Sequence, residues 1–299
     1  MLLFVHMAVH KTIRERIEKQ KKIFDQLSQG KESLLIILDE AEVSESVYNS
    51  NAIENSTLTL KETEKILLEM ELSRDVSLRE VFEAKNLARV VEYVRKKNKG
   101  TPITLETILL LHKMLIDNID DGIAGRFRQK GEYVRVGSHV APAPEHVETL
   151  LEEATAIYTH IKNEQFTIDA IARFHLEFER IHPFNDGNGR IGRLLINYLL
   201  HQEGYPPIII RNKEKQTYYT AFQMYDSGKH TKEMERILSL NVLESLHKRL
   251  AYLQGLAIVP LSDYAKEQDT TPSAIFNAAR RQSIPAFREK NMWKIGIEN

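Results

Sequence analysis

Apolar side chains recur three and four positions apart over most of this sequence, a spacing that places them on one face of an α-helix. The pattern is clearest in Val81–Val94, Val147–Ile161 and Ile168–Ile181, and Ile191–Leu200 is apolar enough to form a buried central helix. The sequence therefore predicts a mainly α-helical fold. Further segments with this period are residues 11–28, 60–72, 105–115, 218–225 and 234–253.

Two segments interrupt the helical period. Gly122–Val140 contains four glycines and the alternating run Glu132–Val136, which predicts a short hairpin or an exposed strand. From about Pro260 onward we predict two short helices, the second over Ser273–Arg281, and then a small hairpin over Ile284–Ile295. The expected domains are an N-terminal helical region (residues 1–100), a central core (101–257) and a small C-terminal domain (258–299).

The stretch from His182 to Arg193 concentrates the residues that can carry chemistry, and it reads His-Pro-Phe-Asn-Asp-Gly-Asn-Gly-Arg-Ile-Gly-Arg. Pro183 is expected to stop one helix and Asp186 to cap the next. Its glycines let backbone N–H groups approach an anion at a helix start. Arg190 and Arg193 lie three apart and so project from nearly one face. An anion site, two arginines, a carboxylate and a histidine are the parts of a phosphate-transfer site.

Each of these residues has a simpler explanation when it is taken singly. A histidine at a helix end is usually a hydrogen-bond partner, and an arginine pair on a helix is usually solvated surface. Two glycines, an arginine pair and a histidine have no joint packing purpose, so the combination favours a functional site. We interpret His175, seven residues before His182, as a core or loop-bracing residue.

The stretch resembles the signature of the Fic (Fic/Doc) family, His-x-Phe-x-Asp/Glu-Gly-Asn-Gly-Arg-x-x-Arg. Eight of its twelve positions are fixed, and all eight are present here, which makes it far more specific than a lone glycine-rich loop. The resemblance extends over roughly residues 45–255. It implies a Fic-type helical core with a short β-hairpin flap. It also implies transfer of AMP from ATP, with Mg²⁺, to a Ser, Thr or Tyr hydroxyl of a target protein.

The resemblance assigns a role to each motif residue. His182 would be the general base for the target hydroxyl, and its ordinary pKa of about 6.5 suits that task. Asp186 would hold Mg²⁺ against the α- and β-phosphates. Arg190 and Arg193 would pair bidentately with β- and γ-phosphate oxygens, and Phe184 would anchor the loop in the core. The remaining phosphate ligands would be the backbone N–H groups of Gly187, Asn188 and Gly189, with the Asn188 side chain as a further donor.

A second segment, Ser50-Asn51-Ala52-Ile53-Glu54-Asn55, matches the inhibitory pattern Ser/Thr-x-x-x-Glu-Gly/Asn that accompanies many Fic proteins. Glu54 would then pair bidentately with Arg193 and occupy the group that the γ-phosphate needs. The segment also fits an ordinary helix C-terminus with Asn55 as the cap, and both interpretations can hold together. In some relatives this glutamate is thought to position water, so the resemblance leaves removal of AMP open as a second activity.

Two further positions follow from the resemblance. Gly122–Val140 matches the family's flap, where an exposed edge strand pairs with an extended target segment, and Val134, Arg135 and Val136 are the candidates for that edge. Tyr219 stands where relatives place an aromatic ring against the adenine, with core packing as the alternative. Asp226 stands where a near relative has Asn.

The C-terminal segment resembles a small winged helix-turn-helix of the excisionase type. Between Ile275 and Ile295 it carries five basic residues (Arg280, Arg281, Arg288, Lys290 and Lys294) against one acidic residue, Glu289. This local excess favours contact with DNA phosphates through Ser273–Arg281 as recognition helix. A protein-interaction or dimer-packing module is the alternative, and both remain open.

Charge and cysteine content restrict the possible partners. The chain has 41 Lys+Arg and 42 Asp+Glu, so any anion site must be local. This balance argues against a protein that coats nucleic acid or anionic lipid along its whole length. Without cysteine there is no disulfide framework or thiolate site, which fits a reducing compartment. The apolar start Met1–Val5 is too short for a signal-peptide core or a membrane span. We therefore expect a cytoplasmic protein with no membrane partner.

Our leading hypothesis is a protein adenylyltransferase that Glu54 inhibits. Two alternatives remain: a Fic enzyme that transfers another nucleotide or a phosphoryl group, and a DNA-binding regulator whose Fic core senses nucleotide. The predicted partners are ATP and a target protein docked at the flap, with self-modification and a homo-oligomer left open. The sequence does not identify the target protein.

Overall fold

The fold is that of a computed structural model, which describes residues 2–69, 76–137 and 139–298 and the side chains from residue 11 onward. Helices dominate this part of the chain, as the apolar spacing predicts. The helices are α1 (Leu2–Leu27), α2 (Glu32–Ile53), α3 (Leu60–Glu64), α4 (Leu78–Arg95), α5 (Leu105–Ile116), α6 (Val147–Ile161), α7 (Thr167–Ile181), α8 (Asn188–Gln202), α9 (Lys215–Gly228), α10 (Lys232–Leu253), α11 (Leu261–Glu267) and α12 (Pro272–Arg280). The strands are β1 (Arg135–Val136), β2 (His139–Val140), β3 (Ala257–Pro260), β4 (Ala286–Glu289) and β5 (Met292–Ile297).

The chain divides into two compact units. The larger contains residues 43–204 and 209–235, and the smaller contains the residues up to Glu42, residues 205–208 and residues 236–299. No helix in the described part of the chain combines the length and the apolar character needed to cross a membrane.

In the larger unit, α7 packs against α6, α8 and α9, and α4 packs against α5 and α8. The inner face of α7 consists of Ile171, Phe174, Phe178 and Ile181, each at most 3% exposed. Burying an aliphatic or aromatic side chain of this size contributes about 1.5–3 kcal/mol. The α8 segment is buried along most of its length, as its apolar character predicts. Core packing holds α7 and α8 in place, and this fixes the position of the turn that connects them.

The helix predicted over residues 60–72 takes a different form. α3 begins with a capping box, in which Thr59 and Glu62 satisfy each other's backbone N–H groups. It ends at Glu64, and a π-helical turn occupies Lys65–Glu69. The hydroxyl of Thr63 donates to the carbonyl of Thr59 at 3.0 Å, a back-bond of the kind that bends a helix. Residues 70–72 lie outside the described residues.

The smaller unit contains the predicted C-terminal helices and hairpin. α11 packs against α12 and on a three-stranded antiparallel sheet of order β3-β5-β4. Its core consists of Leu261, Ala265, Ile275, Ala279, Ala286 and Ile295. The strand β3 is not predicted from the sequence, because four residues are too few to show an alternating pattern. It forms because each of its residues finds a partner on β5, from Ala257 opposite Ile297 to Pro260 opposite Lys294.

A buried group of ion pairs also lies in the smaller unit. The guanidinium of Arg249 is 1% exposed and contacts Asp39 Oδ1 and Glu42 Oε2, both at 2.6 Å. Lys248 contacts Glu42 at 2.9 Å and Glu289 at 3.1 Å. Burial favours the neutral acid of Glu42, but Arg249 and Lys248 together hold its pKa below the ordinary value. The buried charges are thus matched by opposite charges.

Candidate active site

The turn between α7 and α8 begins at His182, which adopts a left-handed conformation with φ 50° and ψ 62°. Its N–H donates to the carbonyl of Phe178 at 2.9 Å, which ends α7. Non-glycine residues rarely adopt this conformation, and it persists where surrounding contacts impose it. Arg128 supplies such contacts. Its buried guanidinium donates to the carbonyl oxygens of His182 at 2.8 Å and Ile181 at 3.3 Å.

The imidazole of His182 is oriented by one backbone contact. Its Nδ1 lies 3.3 Å from the carbonyl oxygen of Glu179. A carbonyl can only accept, so Nδ1 carries the proton and Nε2 is the unprotonated nitrogen. Burial lowers the pKa of His182 to about 4, and the charge of Arg128 adds to that shift. His182 is therefore neutral at physiological pH and able to accept a proton.

The loop after His182 is anchored by Phe184 and Asn188. Phe184 is fully buried and stacks on His112, with ring centroids 3.7 Å apart. The Asn188 amide accepts from the N–H of Phe184 at 2.9 Å and donates to its carbonyl at 2.8 Å. Phe184 thus has the anchoring position expected of it. The Asn188 side chain, expected to be a phosphate donor, is instead used within the loop.

His112 also supports this loop, and no sequence pattern predicts that role. Its Nε2 donates to the carbonyl oxygen of Asp186, 3.1 Å away, and its Nδ1 accepts from the N–H of Gly125 at 3.0 Å. Burial lowers the pKa of His112 to about 4, which keeps it neutral in this role. An apolar helix with one histidine gives no sequence signal for such a contact.

The start of α8 differs from the prediction in its cap. Gly187, with φ 83°, is the N-cap residue, because this backbone conformation suits glycine. Asp186 is not the cap, and its Oδ1 accepts from the N–H of Gly187 at 2.6 Å. The first N–H groups of a helix have no partner within the helix. Those of Asn188, Gly189 and Arg190 therefore have no partner within α8, and the anion site that the glycines predict at this helix start stays a prediction.

Asp186 and Arg190 belong to a ring of alternating charges. Arg190 donates to Asp186 Oδ1 at 3.0 Å and contacts Glu83 Oε1 at 3.1 Å. Arg79 contacts the same two carboxylates, Glu83 at 3.1 Å and Asp186 through its second oxygen. Arg190, expected to face phosphates, is 4% exposed and holds Asp186 in this structure. Arg79 and Glu83 lie far from the motif in sequence and were missed.

Glu54 reaches Arg193, as the inhibitory pattern predicts. Arg193 Nη2 donates to Glu54 Oε1 at 2.9 Å and to the carbonyl of Ser50 at 2.8 Å, and Nε donates to the Ser50 hydroxyl at 3.0 Å. The pair has one N–H···O contact rather than the two that a bidentate pair requires. Burial lowers the pKa of Arg193, but Glu54 and the groups around it raise it overall.

Gly189 makes room for this contact. A Cβ atom added there would lie 2.2 Å from Glu54 Oε1 and 3.1 Å from Arg193 Nη1. A larger residue at this position is incompatible with the observed place of Glu54. Asn55 follows α2 with φ 69°, which is the conformation expected of a helix C-cap. Its side chain also accepts from Lys215 Nζ at 2.8 Å. The C-cap and inhibitory interpretations of this segment are therefore compatible.

One cavity of about 410 Å³ joins these groups. It is lined by Glu54, His182, Gly189, Arg193, Tyr219 and the flap residues Val136 and Gly137, among others. Tyr219 donates to the carbonyl of Ile53 at 3.1 Å, and burial raises its pKa to about 12. Tyr218 is 1% exposed and shares a 2.7 Å hydrogen bond with His175. His175 is thus a buried bracing residue, as expected.

The sequence also gave no sign of Glu179, which lines the same cavity. Its Oε1 is buried and has no hydrogen-bond partner within the described residues. Burial raises its pKa to about 8, although Arg193 opposes this shift. Burial therefore favours the protonated form of Glu179, which shares the cavity with the Glu54–Arg193 ion pair.

The observed flap strand is shorter than the predicted edge, which included Val134, Arg135 and Val136. β1 contains only Arg135 and Val136, and it pairs with β2 in antiparallel register. Val134 lies just before β1, and its carbonyl accepts from the N–H of Ala141 at 3.1 Å. Arg135 and Val136 are exposed.

Three kinds of comparison with known proteins give consistent matches. Residues 102–200 match the Fic/DOC family. A protein adenylyltransferase Fic of Aedes aegypti is 32% identical over 223 residues, which are 72% of this chain and 43% of that protein. A Fic-domain-containing signaling protein of Bacteroides thetaiotaomicron VPI-5482 has a TM-score of 0.72 at 25% identity, covering 80% of this chain and 97% of that chain.

A Fic family protein of Desulfovibrio desulfuricans G20 has a TM-score of 0.66 at 19% identity, covering 97% of this chain and 96% of that chain, and shows likeness of fold. The chain spans less than half the length of the curated relatives that it matches. The matched residues contain the whole stretch from His182 to Arg193, together with α5, α6 and α7. This chain therefore carries a Fic domain, which matches the Fic/DOC family over residues 102–200.

Proposed function

We propose that this protein transfers AMP from ATP to a Ser, Thr or Tyr hydroxyl of a target protein. One observation carries the proposal: a neutral histidine, the start of α8 and an arginine line a single cavity that opens beside the flap. The Aedes aegypti relative is named a protein adenylyltransferase, which supports this choice of reaction. A Fic enzyme that transfers another nucleotide or a phosphoryl group is the alternative within the same cavity.

The chemistry assigns a task to each group. The Nε2 atom of His182 accepts the proton of the target hydroxyl as its oxygen attacks the α-phosphorus. A new bond joins that oxygen to the α-phosphorus, and the bond to the bridging oxygen of pyrophosphate breaks. Backbone N–H groups at the start of α8 and the guanidinium of Arg193 stabilise the negative charge on the phosphates. Tyr219 lines the cavity as the candidate contact for the adenine.

Mg²⁺ is the metal that the family resemblance implies. The described residues contain no cluster of three or more metal-ligating side chains, but Mg²⁺ often binds through one or two carboxylates with substrate phosphates and waters. Asp186 fits that role, because its side chain is 35% exposed and adjoins the start of α8. Asp186 would hold Mg²⁺ there, and the bound ion would supply positive charge against the phosphates.

We further propose that Glu54 inhibits this transfer. Its contact with Arg193 engages the guanidinium that the γ-phosphate requires, and its carboxylate adds negative charge to a site for a polyanion. Removal of AMP from a modified target is proposed as a second activity, because Glu54 and His182 line the same cavity.

Docking of an extended target segment at Arg135 and Val136 is supported by the exposure of β1. Self-modification, a homo-oligomer and the three-part division of the chain stay predictions.

The alternative role as a DNA-binding regulator rests on the C-terminal basic residues. Arg280 and Arg281 are exposed at the end of α12, which supports it. Arg288 contacts Glu244 at 2.6 Å and lies over the ring of Trp293, and Lys294 contacts Glu289 at 2.7 Å. Because these two charges already have acidic partners, the basic excess available to phosphates is smaller than the sequence indicates. AMP transfer is therefore the function that we favour.

The identity of the transferred group tests the proposal. Glu54→Gly protein is incubated with a cell lysate and with ATP labelled at either the α- or the γ-phosphate. AMP transfer places only the α label on protein, whereas phosphoryl transfer places only the γ label. The double variant Glu54→Gly, His182→Ala is the control, and it should lose at least about 10²-fold in rate because general-base catalysis is removed. Protein labelled only from the γ position would contradict the proposal.

A further inference from the structure

Arg79 lies outside the motif, near the start of α4, yet its side chain reaches Asp186. Its Nη2 donates to Asp186 Oδ2, and its Nε donates to Glu83 at 3.1 Å. The other oxygen of Asp186 accepts from Arg190 at 3.0 Å. Both carboxylate oxygens of the proposed metal ligand are therefore occupied by guanidinium groups.

The charges of this group are balanced without a metal ion. Arg79 and Arg190 face two carboxylates, Asp186 and Glu83, in an alternating ring. A divalent cation that approached Asp186 would meet the positive charge of Arg79, which repels it, and N–H groups that already hydrogen-bond to both carboxylate oxygens. Asp186 is ionised but poorly available.

Arg79 and Arg190 differ in how easily each could move away from Asp186. The side chain of Arg190 is 4% exposed, whereas that of Arg79 is 57% exposed. Moving Arg79 into solvent costs little, since exposed ion pairs are worth about 0–1 kcal/mol. Glu83 would remain as the partner of Arg190, at 3.1 Å, so the buried charge of Arg190 would stay paired.

We propose that Arg79 is the counter-ion that closes the metal position at Asp186, so that a divalent cation binds there only when Arg79 moves away. This inference rests on the proposed role of Asp186. Arg79 then sets the metal affinity of the site, and it does so without contacting the reacting atoms.

The test measures metal binding directly, with Mn²⁺ alone as the probe. Free and bound Mn²⁺ are separated by electron paramagnetic resonance during titration of the full chain. We expect Arg79→Ala to bind Mn²⁺ between about three-fold and about ten-fold more tightly than the parent, because a competing charge is removed. Arg79→Lys keeps the charge and should stay close to the parent.

Arg89→Ala is the matched control. Arg89 also lies on α4, is 48% exposed, and contacts Asp117 rather than Asp186; its loss should leave Mn²⁺ affinity unchanged. If Arg79→Ala binds no more tightly than the parent while Asp186→Asn weakens binding, the inference is overturned and the metal assignment survives. If Arg79→Ala and Arg79→Ala, Asp186→Asn bind Mn²⁺ equally, both are overturned.

Discussion

At the scale of single residues, the surroundings of His182 determine what its ring can do. The carbonyl of Glu179 selects the Nδ1–H tautomer, and burial lowers the pKa to about 4. An exposed histidine would be partly protonated near pH 6.5. In this cavity the proposed base is unprotonated at neutral pH, although its lowered pKa makes it a weaker base.

This environment predicts the acidic limb of the pH–rate profile. The kcat/KM of the Glu54→Gly form should not fall with a midpoint near 6.5, and its decline from protonation of His182 should centre near pH 4. The lowered pKa also means that the neutral ring stabilises the fold above about pH 6.5. That contribution is lost progressively as the pH falls towards 4.

The measurement is transfer of α label between pH 5 and 7.5, with thermal unfolding at each pH to confirm that the protein is folded. A loss of rate with a midpoint close to 6.5 would show that the imidazole is solvated, contrary to this structure.

At the scale of elements, the loop between α7 and α8 is held by side chains that bond to its backbone. Asn188 bonds both the N–H and the carbonyl of Phe184, and Arg128 bonds the carbonyl of His182. The N–H groups that we propose as phosphate ligands at the start of α8 are therefore positioned by side chains that have no proposed contact with phosphate.

Loss of the Asn188 amide should accordingly destabilise the domain. Asn188 is 3% exposed, so Asn188→Ala leaves two backbone groups of Phe184 without their buried partner. We expect the free energy of unfolding to fall by about 1–3 kcal/mol, measured by denaturant titration. Asn163→Ala replaces an exposed amide and should change it by less than about 0.5 kcal/mol. Equal effects of the two substitutions would show that the bracing contacts contribute nothing.

Only part of the fold and of the site can be predicted from the sequence. Local features were predictable: the helical periods of α7 and α8, the helix break between them, and Asn55 in the left-handed region after α2. The contact of Glu54 with Arg193 was predictable only through the family pattern. Arg79, Arg128 and His112 are not predictable from the sequence, because each acts through a contact between elements that no spacing encodes. Glu179 is not predictable because its position in the cavity depends on the fold.

At the scale of the whole molecule, near-neutral net charge conceals local charge organisation. The larger unit contains the ring of Arg79, Glu83, Asp186 and Arg190 and the Glu54–Arg193 pair. The smaller unit contains the buried pairs of Arg249 with Asp39 and Glu42. In each case the arginines contact acidic groups. In the larger unit, Arg193 is the residue proposed to bind the nucleotide and Asp186 the residue proposed to bind the metal. The proposed inhibition and the proposed binding therefore involve the same charges.

The most direct test of the central claim is the rate of α-label transfer from ATP to protein, compared between parent and Glu54→Gly. Removing Glu54 frees Arg193 for the γ-phosphate, and a charge-assisted hydrogen bond of this kind is worth about 1.5–3 kcal/mol. We therefore predict a gain of about 10- to 100-fold, which His182→Ala abolishes when combined with it. Equal rates for parent and Glu54→Gly would contradict inhibition by Glu54, and labelling that persists without His182 would contradict the catalytic assignment.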